Sequence, residues 1–122
     1  NDVQRTEQCK QAALAAKGVL LGLASLNESR LEAKQIALDV GIGMNLGHVS
    51  YGNIGSPGRL DFTVLGGAVN IASRIEGLTK TIGHRVLATS SIANANPDIF
   101  SGCGMHSVRG VIDPIELFHL HE

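Results

Sequence analysis

Cysteine is scarce in this chain, and net charge is nearly absent. The 122 residues hold two cysteines, Cys9 and Cys103, far apart and in no C-x-x-C pattern. Their plain reading is ordinary reduced thiols in a cytosolic protein. The formal net charge is −1. It offers no electrostatic case for nucleic acid, or for an anionic membrane surface, as a partner. No apolar run approaches about 18 residues, so no segment is expected to insert into a membrane. No secretory signal peptide is visible. Neither H-E-x-x-H nor G-x-S-x-G occurs, which leaves a helical metal pair and a serine hydrolase of that type without support. The chain opens on Asn1 rather than Met. It is expected to be a processed product or a piece of something longer.

What is present suits one soluble globular domain over residues 1–122, with 43% hydrophobic and 17% charged residues. That length holds one core and leaves no room for a second. A nucleotide site needs only a few placed cations, so near-neutrality does not argue against one. The expected location is the cytoplasm, as itself or as the cytosolic part of a larger signalling protein.

Periodicity predicts a helix over residues 3–26, where Cys9, Ala12, Ala13, Ala16, Val19, Leu20, Leu23 and Leu26 recur at steps of three and four. Residues 27–35 are polar and read as a connection. Residues 36–44 alternate, with Ile36, Leu38, Val40, Ile42 and Met44 on one face and Ala37, Asp39, Gly41 and Gly43 on the other. That predicts a strand with a bare face, open either to a ligand or to a packed helix. Gly47 suits a tight turn, and residues 48–54 read as the return strand of a hairpin. Gly55-Ser56-Pro57-Gly58 is a loop.

A second helix is predicted from about Ala68 to Ile82, with a core stripe of Ala68, Ile71, Ala72, Ile75, Leu78 and Ile82. Asn70 and Arg74 lie in a row beside it, at the margin of the buried face. Val69 falls outside the stripe and is expected to face a partner subunit. Arg85 to Ala88 reads as a strand, Ser90 to Asn96 as a helical turn ended by Pro97, and residues 105–112 and 114–121 as a final hairpin. The order suggests helices on one face of an antiparallel sheet.

Two minor motifs are weak. Gly41-x-Gly43-x-x-x-Gly47 has the wrong spacing for a dinucleotide fingerprint, and strand rather than helix follows it. The five histidines lack the spacing of a helical metal pair. His119 and His121 could share a metal on one strand face, but surface residues are the plainer account, and no residue is assigned as a metal ligand.

Asn70 and Arg74 are the strong candidates. One offers a neutral amide donor, the other a permanent cation with a planar donor fork. Four residues apart on one helix face, they can hold a sugar oxygen and a phosphate of one nucleotide together. The run Asp61-Phe62-Thr63-Val64-Leu65-Gly66-Gly67-Ala68-Val69-Asn70-Ile71-Ala72-Ser73-Arg74-Ile75-Glu76 resembles the nucleotide-binding turn and catalytic helix of class III nucleotidyl cyclases, the adenylate and guanylate cyclase family. The segment Gly41 to Gly55 is similar to that family's central hairpin. Val108-Arg109-Gly110-Val111, followed by Pro114 to Phe118, resembles its terminal hairpin.

The resemblance implies a ferredoxin-like α+β fold, N-terminally incomplete. It implies conversion of a nucleoside triphosphate to a 3′,5′-cyclic monophosphate and pyrophosphate. By it, Asn70 orients the ribose and Arg74 neutralises charge on the α-phosphate. Thr63 and the backbone of Val64 meet the purine and favour ATP over GTP. Arg109 stands where a triphosphate-binding Lys is usual. The family uses two Mg²⁺ or Mn²⁺ ions and a head-to-tail homodimer with shared sites. Its two metal-binding Asp residues and its purine-reading Lys belong to segments that precede the first helix here, and no Asp of this chain matches them. Gly67 replaces an Asp that the family often carries. The chain alone is therefore expected to be inactive and to self-associate along an unpaired sheet edge. The alternative is a degenerate cyclase-like module with a regulatory or dimerising role.

Overall fold

The computed structural model describes residues 2–48 and 67–121, together with the backbone of residues 50–54 and 61–65. An alanine-rich stripe starts the fold. Helix α1, Asp2–Glu32, buries Cys9, Ala13, Ala16 and Leu23, while Val19 and Leu26 from the same predicted stripe stay about half exposed. Small residues on this stripe let the helix lie close to the sheet. α1 also contains an 18-residue window with a mean hydropathy of 1.2, long and apolar enough by length and composition alone to cross a membrane, as core helices of soluble proteins also are. Here it packs Cys9, Ala13 and Ala16 against the sheet.

α1 runs six residues beyond its predicted end. Residues 27–32 hold no Gly or Pro, and Glu, Arg and Leu are good helix formers. The polar residues of this last stretch fasten the returning chain. Asn27 accepts from the Leu38 amide at 2.7 Å and donates to the Leu38 carbonyl at 2.8 Å. Arg30 Nε donates to the Ile36 carbonyl at 2.8 Å. With these backbone groups bound by side chains, the predicted strand 36–44 shortens to β1, Ile42–Met44.

β1 does not form the predicted hairpin. It pairs in parallel with β4, Val86–Thr89, with Ile42 opposite Val86. β2, Ser50–Ile54, pairs antiparallel with β3, Asp61–Leu65, in a separate two-stranded sheet. The main sheet runs β1-β4-β6-β5, where β5 is Phe100–His106 and β6 is Ile115–Leu120. It is mixed: β4–β6 and β5–β6 are antiparallel. Residues 55–60, with the loop expected at Gly55-Ser56-Pro57-Gly58, and Gly66 lie outside the described residues.

The predicted second helix is divided. α2 is Gly67–Glu76 and α3 is Thr79–Ile82. Gly77 is a poor helix former. The Thr79 hydroxyl donates to the Glu76 carbonyl at 2.8 Å, where a continuing helix would place its own amide. α3 closes on Gly83, at φ +89°, whose amide donates to the Thr79 carbonyl at 2.9 Å. The short helix α4, Ser90–Ala93, follows β4 as expected. Asn96 then ties it to α1, donating to the Ile92 carbonyl at 2.9 Å and the Cys9 carbonyl at 3.2 Å.

Successive residues of β4 face opposite ways and serve two buried clusters, one on each face of the sheet, where a single core was expected. Val86 and Ala88 pack with Cys9, Ala13, Ala16 and Ile92 under α1 and α4. Leu87 packs with Ile75 and Leu117 under α2. Helices therefore cover both faces of the sheet, where one face was expected. The bare face of β1 supplies the reason. A Cβ on Gly43 would strike the Ala72 carbonyl and the Glu76 amide, and one on Gly41 would strike Thr79. The glycines admit the backbone of α2 itself, so a helix and not a ligand fills that face.

Candidate functional site

The site is built on the outward face of α2. Ile75 fixes the helix's rotation, because it is fully buried against Leu87 and Leu117. With Ile75 turned inward, Asn70 and Arg74 come out exposed, one turn apart. Val69 is half-buried.

The N-terminal end of α2 is held by a residue that sequence reasoning did not single out. Asn45, just after β1, donates through Nδ2 to the Ala68 carbonyl at 3.3 Å. Its Oδ1 accepts from the Thr89 hydroxyl at 2.8 Å. One side-chain amide thus links β1, the start of α2 and the end of β4. Gly47 lies directly against Ala68, with no room for a side chain. Asn45 falls on the same alternate positions as Ala37, Asp39, Gly41 and Gly43, where a polar residue is ordinary, so it leaves no distinguishing trace in the sequence.

Arg74 is tied to the loop between β5 and β6. Its Nη1 donates to the Arg109 carbonyl at 2.6 Å. The neighbouring Gly110 has φ +84°, and a Cβ there would run into the Arg74 guanidinium. The loop is anchored by buried Val108, whose carbonyl accepts from the Val111 amide at 3.0 Å. The structure therefore joins Arg74 to the Arg109 backbone, with the Arg109 side chain exposed. A guanidinium carries five N–H donors, so one bond to a carbonyl leaves the others for an anion. Thr63 and Val64 stand in β3 opposite Gly52 and Tyr51. Their side chains lie outside the described residues.

A cleft of about 850 Å³ opens at the other end of α2, lined by Asp39, Gly41, Glu76, Thr79, Lys80 and His84 among others. Neither Asn70 nor Arg74 lines it. Asp39 and Arg85 make a 3.1 Å ion pair at its rim. Both are well exposed, so the pair adds little stability.

Hard divalent cations want carboxylate and carbonyl oxygens. Among the described residues, the metal-capable side chains that converge in a group of three are His84, Cys103 and His119. Those are soft donors without a carboxylate. The residues described here do not fit a magnesium or manganese pair.

Residues 3–115 match the model of the adenylate and guanylate cyclase catalytic domain. The chain belongs to that family. Over 66 residues it is 48% identical to an adenylate cyclase of Anabaena cylindrica, covering 52% of this chain and 13% of that protein. Over 120 residues it is 26% identical to adenylate cyclase 1 of Rhizobium meliloti (strain 1021), covering 97% of this chain and 18% of that one. The solved structure of the guanylyl cyclase Cya2 superposes with a TM-score of 0.65 at 29% identity, over 84% of this chain and 53% of that chain. The chain thus spans under a fifth of these two curated relatives.

Proposed function

We propose that this chain supplies the ribose- and phosphate-binding side of a class III cyclase site, acting on ATP in preference to GTP. The observation that carries the reading is the exposed Asn70–Arg74 face of α2, with Arg74 tied to the Arg109 turn. In the reaction the ribose 3′-oxygen bonds to the α-phosphorus, and the bond to the pyrophosphate oxygen breaks in line. The Asn70 amide donates to the ribose ring. The Arg74 guanidinium donates to the α-phosphate oxygens, where charge builds in the transition state. Arg109 adds a cation for the β- and γ-phosphates. Thr63 and the Val64 backbone meet the purine edge.

Divalent metals, when bound, would supply further charge neutralisation at the phosphates. Their carboxylate ligands are assigned to residues other than those described. In this reading the working site is shared across a head-to-tail homodimer in the cytoplasm. The lack of a converging carboxylate group among the described residues favours one second reading, a cyclase-like regulatory or dimerising module.

The test uses the full-length protein that carries this chain, assayed for cyclic nucleotide with ATP or GTP and Mn²⁺. Arg74→Ala is expected to lower kcat by about 10²–10³ with little change in nucleotide affinity. Activity that ignores the substitution would overturn the role of Arg74. No activity in the wild type with either nucleotide would favour the second reading.

A further inference from the structure

Three side chains from separate elements meet on the α2 side of the sheet. His84 follows the Gly83 turn, where its amide donates to the Thr79 carbonyl at 3.1 Å. His119 in β6 lies in register with Leu87 on one side and Ser101 on the other. Its ring stacks on that of His84, with centroids 3.8 Å apart and planes 8° from parallel. Cys103 comes from the irregular part of β5, between Gly102 and Met105, where Gly104 takes φ +86°. Bulges of this kind re-aim side chains. His106 fixes this one by donating from Nε2 to the Cys103 carbonyl at 2.8 Å. The donor atoms of His84, Cys103 and His119 all lie within 4.8 Å of one another, and all three residues are half-buried.

We propose that His84, Cys103 and His119 bind a soft divalent transition metal ion, Zn²⁺ by preference. Two imidazoles and a thiolate are a donor set for Zn²⁺ or Co²⁺, not for Mg²⁺. Tetrahedral bonds of about 2.0–2.3 Å place donor atoms roughly 3.3–3.8 Å apart. Small side-chain rotations that open the stacked rings bring the three donors from their present spacing to that one. The fourth position goes to water, since the nearby His121 is engaged through Nε2 with the Ser101 hydroxyl. Burial pushes the Cys103 thiol above its ordinary range, and a bound cation opposes that push by stabilising the thiolate. The ion would cross-link the α3–β4 junction to the β5–β6 pair, beside the Leu87 and Leu117 packing that supports α2. This inference stands apart from the nucleotide reading and rests on other residues.

The test is titration of this chain with Co²⁺, followed by displacement with Zn²⁺. The expected result is one ion per chain, tetrahedral d–d bands, and a near-ultraviolet thiolate-to-cobalt band. Cys103→Ser should abolish the thiolate band, and His84→Gln or His119→Gln should weaken binding at least tenfold. Cys9→Ala and His48→Ala should leave the spectrum unchanged. A wild-type chain with no tetrahedral spectrum overturns the proposal without recourse to any variant. So does a thiolate band that survives Cys103→Ser, or binding lost equally in the His48 control.

Discussion

The Arg74 guanidinium donates to the main-chain carbonyl of Arg109 at 2.6 Å, across 35 residues of sequence. The cation is thus aimed by backbone, and among the described residues no carboxylate pairs with it to compete with phosphate. Removing the side chain in Arg74→Ala should cost about 0.5–1.5 kcal/mol of stability, the net worth of an exposed hydrogen bond. Hydrogen exchange at the Val111 amide should quicken, because the turn it closes loses its tie to α2. Denaturant unfolding and exchange mass spectrometry check both.

Gly110→Ala should harm the same contact from the other side. The residue sits at φ +84°, and its added methyl would meet the guanidinium. Left-handed backbone alone costs a non-glycine residue about 1–2 kcal/mol. The variant should be destabilised by at least that much. On the proposed function, the full-length protein should then lose its cyclic-nucleotide product while Arg74 remains in the chain.

Gly43→Ala tests the packing of α2 on β1. The new methyl would strike the Ala72 carbonyl and the Glu76 amide, which are backbone and cannot rotate away. Overpacking of this kind typically costs about 1–3 kcal/mol. The midpoint of urea unfolding should fall accordingly. Gly18→Ala in α1, where a methyl meets nothing within 4 Å, should be neutral or stabilising by up to about 1 kcal/mol.

Asn45→Ala removes a half-buried amide that joins the Ala68 carbonyl to the Thr89 hydroxyl. The expected loss is about 0.5–1.5 kcal/mol per hydrogen bond, since the Thr89 hydroxyl keeps its contact with Ser91 at 2.9 Å. Asn45→Asp keeps the bond from Thr89 but cannot donate to the carbonyl. It should therefore recover only part of the loss.

Alkaline pH should weaken the fold through Cys9. Burial raises its thiol pKa above the ordinary 9.0. A group whose native pKa is raised keeps its full contribution below the unfolded value and loses it as pH climbs through the native one. Stability should thus hold up to the ordinary thiol range and decline above it. Cys9→Ala should show a shallower decline than the wild type over the same range, measured by the urea midpoint.

The two long helices and the strand at Gly41 and Gly43 show what the sequence made legible. Apolar periodicity located α1 and the core stripe of α2, because burial on one helix face leaves a direct mark. Alternation at Gly41 and Gly43 revealed a bare strand face, and the structure fills it with a helix. The partner of β1 was not legible. Parallel pairing with β4 is settled by α2 lying between them in the chain, and no local turn announces it. The end of α1 was missed because Asn27 and Arg30 look like connection residues until the chain returns to meet them. Asn70 and Arg74 were readable as a pair, and the chain's family membership bears out the resemblance drawn from their surroundings. Their support by Asn45 and the Arg109 carbonyl was not readable, since a backbone acceptor has no residue type.

β4 gives Val86 and Ala88 to one core and Leu87 to the other. Such a strand has no tolerance for slippage. Inserting one residue after Arg85 would leave every apolar side chain in the protein and reverse where each of these three points. Leucine would be driven among the alanines of α1, and the smaller pair would be left beneath Ile75. The face that carries Asn70 and Arg74 thus depends on a reading frame of three residues that never touch it.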